Sequence, residues 1–217
     1  MVAGRIRLLS LADIDRAVYV QSAAFQNDPL WQYLIPNSEK RAVMLPKFFF
    51  VFMKVSIICR QAYGVSNPAE GVAIWCSPQQ KRFEFSGFFA ASLPKLVFSG
   101  FLQTFFRALK AFIQIETMQK TFASKPHYYL NTIALSPESR GKGLASKIVR
   151  PFLEKADKEA VGIYVETMNP KNVELYEHYG FRIVGICHAP STGFSIWAFY
   201  RSAKTKSQKP RYRNLET

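Results

Sequence analysis

The chain has 217 residues, 48% of them hydrophobic, and a formal net charge of +14. Length and hydrophobic content predict a single domain with a sizeable core. The N-terminal residues lack the apolar stretch of a signal peptide, and the apolar run at 43–59 is interrupted by Pro46, Lys47 and Lys54. These features argue against a signal peptide and a transmembrane span, so we expect a cytoplasmic protein that does not enter a membrane.

The first part of the chain shows alternating strand and helix patterns. Residues 6–9 read as a strand and residues 11–25 as a helix, and residues 38–60 form a second helical stretch with phenylalanines at helical spacing. Two short strands follow at 62–65 and 71–75, separated by the turn SNPAE, which predicts a hairpin.

Residues 79–126 form a phenylalanine-rich insert. They hold ten of the nineteen phenylalanines and only two acids, Glu84 and Glu116. The pattern predicts two helices that lie between the third and fourth strands. Such an insert forms either the wall or lid of a substrate pocket or ordinary core, and a homodimer interface is compatible with both.

The second half continues with a strand at 128–137 and a helix at 143–159, which we expect to bend at Pro151 rather than break. The next strand is VGIYVET (161–167). A helix then begins after Asn169, an expected N-cap, and ends before Gly180. FRIVGIC and FSIWAFY form a final antiparallel pair, so the pattern predicts a mixed sheet flanked by helices.

The three cysteines, Cys59, Cys76 and Cys187, lie in apolar runs and have no metal-ligand spacing. Their odd number argues against a disulfide framework. We therefore expect reduced core cysteines in a cytosolic protein, and we predict no metal site.

The C-terminal residues 201–217 carry six Lys and Arg residues against one acid, and they lack periodicity and apolar mass. We therefore divide the chain into one domain at 1–200 and a basic, flexible tail. A basic tail binds nucleic acid or anionic lipid in some proteins. A solvated tail on a protein that binds a polyanionic cofactor is the simpler interpretation.

The segment between the strand at 128–137 and the helix at 143–159 reads Arg140-Gly141-Lys142-Gly143-Leu144-Ala145. A glycine-rich turn that opens a helix presents unpaired N–H groups and the positive end of the helix dipole, which suits a pyrophosphate. The dinucleotide and Walker fingerprints are both absent. Taken alone, the motif is also compatible with a solvated turn.

This hexapeptide and the block Asn169…Tyr176…Gly180-Phe181 together resemble the GNAT superfamily of N-acetyltransferases. Within it, YYLNTIALSPESRGKGLASKIV and ETMNPKNVELYEHYGF are most similar to the puromycin N-acetyltransferase branch, with GVAIWCSP as a weaker similarity. The resemblance covers about residues 127–185. It implies an α/β (mixed α+β) fold with a mostly antiparallel central sheet flanked by helices, and acetyl-CoA as co-substrate.

The resemblance also implies which residues bind acetyl-CoA. Residues 140–145 correspond to its pyrophosphate loop. The backbone of Ile133, Ala134 and Leu135 should pair with the cofactor's amide arm like an added strand. Asn169 and Asn172 should lie near the same arm, although Asn169 is equally well explained as a helix cap.

The expected reaction requires a base for the acceptor amine and a proton donor for the leaving thiolate. By resemblance, Tyr176 is the proton donor; the alternative is a tyrosine that only packs against the cofactor. Glu166 is the leading base, with a raised pKa if it is buried, and the alternative is a structural carboxylate. His127 and Asn131 are weaker candidates, because many relatives carry a glutamate on this strand and residues 128–135 contain none.

The sequence and the resemblance thus predict an N-acetyltransferase that acts on a primary amine of a small molecule by direct attack in a ternary complex. A peptide amine is an alternative acceptor. A non-catalytic protein that binds coenzyme A or nucleic acid on the same fold is the alternative from another class, and the presence of Tyr176 argues against it.

Overall fold

Seven strands form one sheet in the computed structural model, which describes residues 6–80, 102–189 and 194–204. The strands are β1 (Arg7–Leu8), β2 (Ala62–Val65), β3 (Gly71–Cys76), β4 (His127–Leu135), β5 (Gly162–Thr167), β6 (Arg182–Ala189) and β7 (Phe194–Arg201). Their order is β1-β2-β3-β4-β5-β7-β6, and every neighbouring pair is antiparallel except β4 and β5. The predicted mixed, mostly antiparallel sheet is confirmed.

Six α-helices flank the sheet within the same described ranges. They are α1 (Ile14–Phe25), α2 (Pro29–Leu34), α3 (Ser38–Ile58), α4 (Leu102–Phe122), α5 (Leu144–Glu159) and α6 (Val173–His178). Short 3-10 turns precede α1, α5 and α6. The sequence prediction did not include helix α2. The order of the other described elements agrees with the prediction.

Helices α1 to α4 cover one face of the sheet, here called the α1 face, and α5 and α6 cover the other, the α5 face. On the α1 face, Ala17, Phe49 and Phe112 pack with the sheet residues Val72 and Ile74. The α5 face is built from a different set, in which the helical residues Leu144, Ile148, Phe152 and Tyr176 pack on Trp75, Leu130, Ile163 and Phe199. Each face thus has its own core, as the two-residue period of a strand requires.

Several boundaries differ from the sequence prediction. Of the insert at 79–126, one helix, α4, is described, and the expected first helix falls on residues 81–101, outside the described part. Helix α5 continues through Pro151 without a break, and its bend stays a prediction. The expected N-cap Asn169 opens a 3-10 turn that leads into α6, and Gly180, with a φ of +84°, follows the end of that helix.

Two expectations about single residues are wrong. Cys59 is exposed, because it is the residue that ends α3, whereas Cys76 is buried and Cys187 half-buried; all three are free. The tail was expected to begin at residue 201, but Arg201 is the last residue of β7 and is buried. The remainder of the tail, from residue 205, lies outside the described residues.

Among the helices that the structure describes, none combines the length and the apolar character needed to cross a bilayer.

Candidate active site

Strands β4 and β5 separate from each other partway along their length. Their parallel pairing extends only from His127 and Gly162 to Tyr129 and Tyr164, whereas β4 continues to Leu135 with β3 as its partner. Among the described residues, the β5 side of β4 is therefore open over residues 130–135. An extended diamide fits such an edge, because it pairs with the backbone as an added strand does. This is the edge that carries Ile133, Ala134 and Leu135.

A β-bulge lies at the point where the strands separate. Ile74 of β3 pairs with Thr132 and Trp75 pairs with Leu130, so Asn131 is an extra residue in β4. Bulges re-aim side chains and are frequent beside active sites. Here Asn131 and Thr132 both line a cavity on the α1 face, the central cavity.

The glycine-rich turn lies at the start of α5. Gly141 and Gly143 have φ values of +75° and +71°, and a Cβ atom added at either position would meet nothing within 4 Å. Arg140 and Lys142 are exposed beside them. The first N–H groups of a helix have no intrahelical acceptor, and the helix dipole is positive there. The turn is thus open and positively charged, which suits an anion.

Leu144 and Ala145 continue this turn into the helix. Leu144 is buried in the core of the α5 face and Ala145 is half-buried. Their side chains therefore serve packing, and only their backbone N–H groups are available to an anion.

The central cavity lies under α1 to α4, where β4 and β5 separate. Its wall on the helix side consists of Phe25, Trp31, Phe48, Phe49, Phe52 and Phe112. Its polar lining includes the carboxylates of Asp28, Glu116 and Glu166 and the phenol of Tyr176. Tyr176 belongs to α6 on the α5 face, so the cavity extends through the gap between the strands.

Tyr176 is 5% exposed, and its ring packs against Phe181 (5.8 Å between centroids) and Phe199 (5.4 Å). Burial raises the pKa of Tyr176, and the negative charges of Glu166 and Asp28 raise it further. The hydroxyl therefore keeps its proton at neutral pH, close to two carboxylates.

Glu166 lies on β5 opposite Ala198 of β7. The Tyr129 hydroxyl, from the neighbouring strand β4, donates a short hydrogen bond to Glu166 Oε1. Tyr129 is itself buried and lines the same cavity. Glu166 is therefore held in a fixed position by its neighbour.

Asp28 is a site residue that the sequence prediction missed. It is the N-cap of α2, where its Oδ1 accepts a hydrogen bond of 3.0 Å from the Leu30 N–H. Burial raises the pKa of the Asp28 carboxyl to about 6, although the N–H groups of Leu30 and Trp31 act in the opposite direction. The pair Asp28-Pro29 does indicate a helix start in the sequence, because aspartate is a preferred N-cap and proline a preferred first helical residue.

The buried Arg41 fixes the segment that carries Asp28. Its guanidinium donates to the carbonyl of Gln26 (2.5 Å) before α2 and to the carbonyl of Ile35 (2.6 Å) after it. Arg41 belongs to α3 and is 3% exposed. Both ends of the α2 segment are thus attached to the same helix, which holds Asp28 at the cavity.

Of three other predicted residues, Asn172 lines the cavity, whereas Asn169 and His127 do not. Asn172 lines the cavity, and its Nδ2 donates to Thr167 Oγ1 at 3.1 Å. Asn169 caps the 3-10 turn by accepting from the Lys171 N–H at 3.1 Å. His127 does not line the cavity: its ring bonds to the Lys125 carbonyl (2.7 Å) and to Gln119 (2.9 Å).

Comparison with known proteins gives a consistent result. Residues 98–181 match the model of the Acetyltransferase (GNAT) family. An uncharacterised N-acetyltransferase of Schizosaccharomyces pombe is 25% identical over 175 residues, which are 78% of this chain and 70% of that protein.

Two solved structures are similar over almost the whole chain. A Corynebacterium glutamicum protein named as histone acetyltransferase HPA2 and related acetyltransferase has a TM-score of 0.64 at 22% identity, covering 94% of this chain and 98% of its own. Arylalkylamine N-acetyltransferase 2 of Aedes aegypti has a TM-score of 0.63 at 13% identity, with coverages of 93% and 99%. At these identities the likeness shows the fold, which is the mixed α/β GNAT fold.

Proposed function

We propose that this chain, a member of the GNAT acetyltransferase family, moves an acetyl group from acetyl-CoA to the primary amine of a small molecule. One observation carries the proposal: a cavity at the separation of β4 and β5 brings together a buried phenol, Tyr176, and the carboxylates Asp28 and Glu166. These are the groups that amine acylation requires, an acid for the leaving thiolate and a base for the ammonium.

The residues present fit acetyl-CoA as the donor. The open edge of β4 at Ile133, Ala134 and Leu135 offers backbone groups to the diamide arm. The turn at 140–143 would hold the pyrophosphate, because its two glycines leave open space and α5 has no acid in its first turn. When bound, acetyl-CoA supplies an activated acetyl group and a thiolate as leaving group.

The acceptor amine must lose a proton. An ammonium with a pKa of about 10.4 is almost fully protonated at pH 7, and removing that proton costs about 4.6 kcal/mol. Glu166 was the base expected from the sequence. We assign the base to Asp28 instead, because burial raises its pKa to about 6, which is close to neutral pH and therefore suits a general base. We give Glu166, which the Tyr129 hydroxyl holds in place, the role of counter-charge to the ammonium.

Tyr176 completes the set as proton donor. Its raised pKa keeps the hydroxyl protonated at neutral pH, so it can donate a hydrogen bond to a thiolate expelled within the gap between β4 and β5. The proton would move along this hydrogen bond as negative charge develops on the sulfur. The reaction then needs no covalent enzyme intermediate, because both substrates are held side by side in the cavity.

The names of similar proteins support a small amine as acceptor. The Aedes aegypti protein is named for arylalkylamines, and a Drosophila melanogaster neighbour is described as a polyamine N-acetyltransferase. The narrower assignment to the puromycin N-acetyltransferase branch stays a prediction from the motifs.

Donor binding is tested by thermal shift with two variants that differ only in charge. Asn and Asp both tolerate the left-handed conformation of Gly143, and both have space there. Acetyl-CoA should raise the melting temperature of the wild-type protein by linkage. Gly143→Asp should lose much more of this shift than Gly143→Asn, because a carboxylate repels the pyrophosphate.

Turnover is tested by thiol release from acetyl-CoA in the presence of a panel of primary amines. Amine-dependent release is the expected result. A wild-type protein that shows no thermal shift at millimolar acetyl-CoA, or that binds it without acylating any amine, would contradict the proposal and favour a non-catalytic role.

A further inference from the structure

The lining of the central cavity has an aromatic part and an acidic part. In the aromatic part, rings contact each other: Trp31 lies 4.6 Å from Phe48, Phe25 lies 5.5 Å from Phe49, and Phe48 lies 6.0 Å from Phe52. These residues come from three helices, so the wall is held from several directions. We call these five residues, Phe25, Trp31, Phe48, Phe49 and Phe52, the aromatic wall.

The acidic part of the cavity lining consists of Asp28 before α2, Glu116 of α4 and Glu166 of β5, and the same cavity is lined by Tyr176. In the part of the chain that the structure describes, no lysine, arginine or histidine lines the cavity. In a protein with a net charge of +14, this lining favours a ligand that is positively charged where it meets the carboxylates.

Two members of the aromatic wall present surface to a ligand. Phe49 and Phe52 are 1% and 2% exposed and form the back of the wall, whereas Phe25 and Phe48 are half-buried and line the cavity. An apolar group placed against Phe25 and Phe48 would leave water and gain ring contacts. A hydroxyl or a second ammonium placed directly on these rings would lose its water and gain no hydrogen bond from the phenyl groups.

Building on the proposed function, we propose that the acceptor is a primary monoamine with an apolar, preferably aromatic, body, its ammonium at Asp28 and Glu166 and its body on the aromatic wall. Polyamines and amino sugars are disfavoured because their additional polar groups would be desolvated against phenyl rings. Phe48 is then a specificity-determining residue that touches the body of the acceptor and takes no part in proton transfer.

The test compares acceptors at saturating acetyl-CoA. We expect kcat/KM for 2-phenylethylamine to exceed that for ethylamine and for 1,4-diaminobutane by roughly 10²-fold, the upper range for apolar pocket discrimination. Glucosamine should be poorer still. A preference for diaminobutane or glucosamine would overturn the inference and leave the proposed function intact. If diaminobutane were preferred and Glu116→Gln abolished that preference, Glu116 would be the site of a second cation.

Two variants test whether the aromatic wall causes the preference for an aromatic amine. Phe48→Ala should raise KM for 2-phenylethylamine about tenfold and leave KM for ethylamine and for acetyl-CoA nearly unchanged. Phe50→Ala is the matched control, since Phe50 is 44% exposed on the same helix and does not line the cavity. Equal effects of both variants, or an equal loss for both amines, would overturn the inference.

A binding measurement separates this inference from the reaction itself. Thermal shift with coenzyme A present should show stronger stabilisation by 2-phenylethylamine than by ethylamine, whether or not any amine is acylated. Discrimination in binding without turnover would support the inference and contradict the proposed function. No discrimination in binding would overturn the inference.

Discussion

In the proposed reaction, Tyr176 donates the proton to the leaving thiolate. Tyr176→Phe removes one hydroxyl and keeps the ring contacts with Phe181 and Phe199. Turnover should fall by about 10²-fold, the range for acid–base groups, while the thermal shift with acetyl-CoA survives. The control is Tyr19→Phe, which removes an exposed hydroxyl bonded to Glu138. Unchanged turnover, with chemistry shown to be rate-limiting, would assign the proton to another donor.

Asp28 gives the reaction its expected pH dependence. Because burial raises the pKa of Asp28 to about 6, the carboxylate accepts a proton as the pH falls through 6, and kcat/KM should fall with it. Asp28→Asn keeps an N-cap side chain but removes the base, so kcat/KM at pH 7 should drop about 10²–10⁴-fold. Asp15→Asn, an exposed change on α1, is the control. A variant that keeps wild-type activity would exclude Asp28 as the base.

The raised pKa of Asp28 also predicts how the stability of the protein changes with pH. Unfolded aspartate has a pKa of about 3.9, so between that value and about 6 the folded protein binds more protons at Asp28 than the unfolded chain does. The contribution of this group to stability is therefore lost as the pH rises through this window. In urea unfolding, Asp28→Asn should gain stability relative to the wild type between pH 4 and pH 7; a constant difference would contradict the shifted pKa.

At the scale of elements, helix α4 carries two neighbouring phenylalanines, one of which is buried and the other exposed. Phe105 is 2% exposed, whereas its neighbour Phe106 is 57% exposed. Phe105→Ala should lower the free energy of unfolding by about 3–5 kcal/mol, as large core truncations do. Phe106→Ala should change it by only about 0.5 kcal/mol. Urea unfolding of the two variants measures the contrast, and a similar loss for both would show that Phe106 is covered in solution.

Elements with strong local signals were predictable from the sequence. The hairpin of β2 and β3, the amphipathic α5 and the final pair β6 and β7 have clear periodicity and turn residues, and all three are confirmed. Helix α2 was missed because it has only six residues, too few for hydrophobic periodicity to appear. Its cap Asp28-Pro29 was the only local signal.

The geometry of the candidate site was predictable where local backbone chemistry defines it and much less so where distant segments meet. The open turn at 140–143 follows from glycines before a helix, which is a local property, and its binding of a pyrophosphate stays a prediction. The aromatic wall combines α1, α2 and α3, and no single segment shows that these rings line one cavity. The insert at 79–126 was expected to be either wall or core, and α4 supplies both, since Phe112 lines the cavity while Phe105 does not.

At the scale of the molecule, the end of the sheet is attached to the end of α5 by an ion pair. Arg201, the last residue of β7, donates two hydrogen bonds of 2.7 Å to the two carboxylate oxygens of Asp157. The N–H of Lys204 donates to Asp157 Oδ1 at 2.8 Å. The hydrogen bonds from Arg201 contribute most to holding the pKa of Asp157 below its usual range. The carboxylate thus attaches the chain after β7 to the helix whose other end follows the glycine-rich turn at 140–143.

Asp157→Asn should therefore destabilise the whole fold without changing the lining of the central cavity. Arg201 is 4% exposed at its side chain and Asp157 24%, so loss of the charge leaves a buried guanidinium incompletely paired, at a cost of about 1–3 kcal/mol. Because the pKa of Asp157 is lowered in the folded state, its stabilising contribution is present above the unfolded value of about 3.9 and is lost as the pH falls below it. Urea unfolding of wild type and variant should differ at pH 7 and converge towards pH 3, with Asp15→Asn as the exposed control. A difference that stays constant from pH 7 to pH 3 would mean that the charge of Asp157 contributes nothing to the stability of the fold.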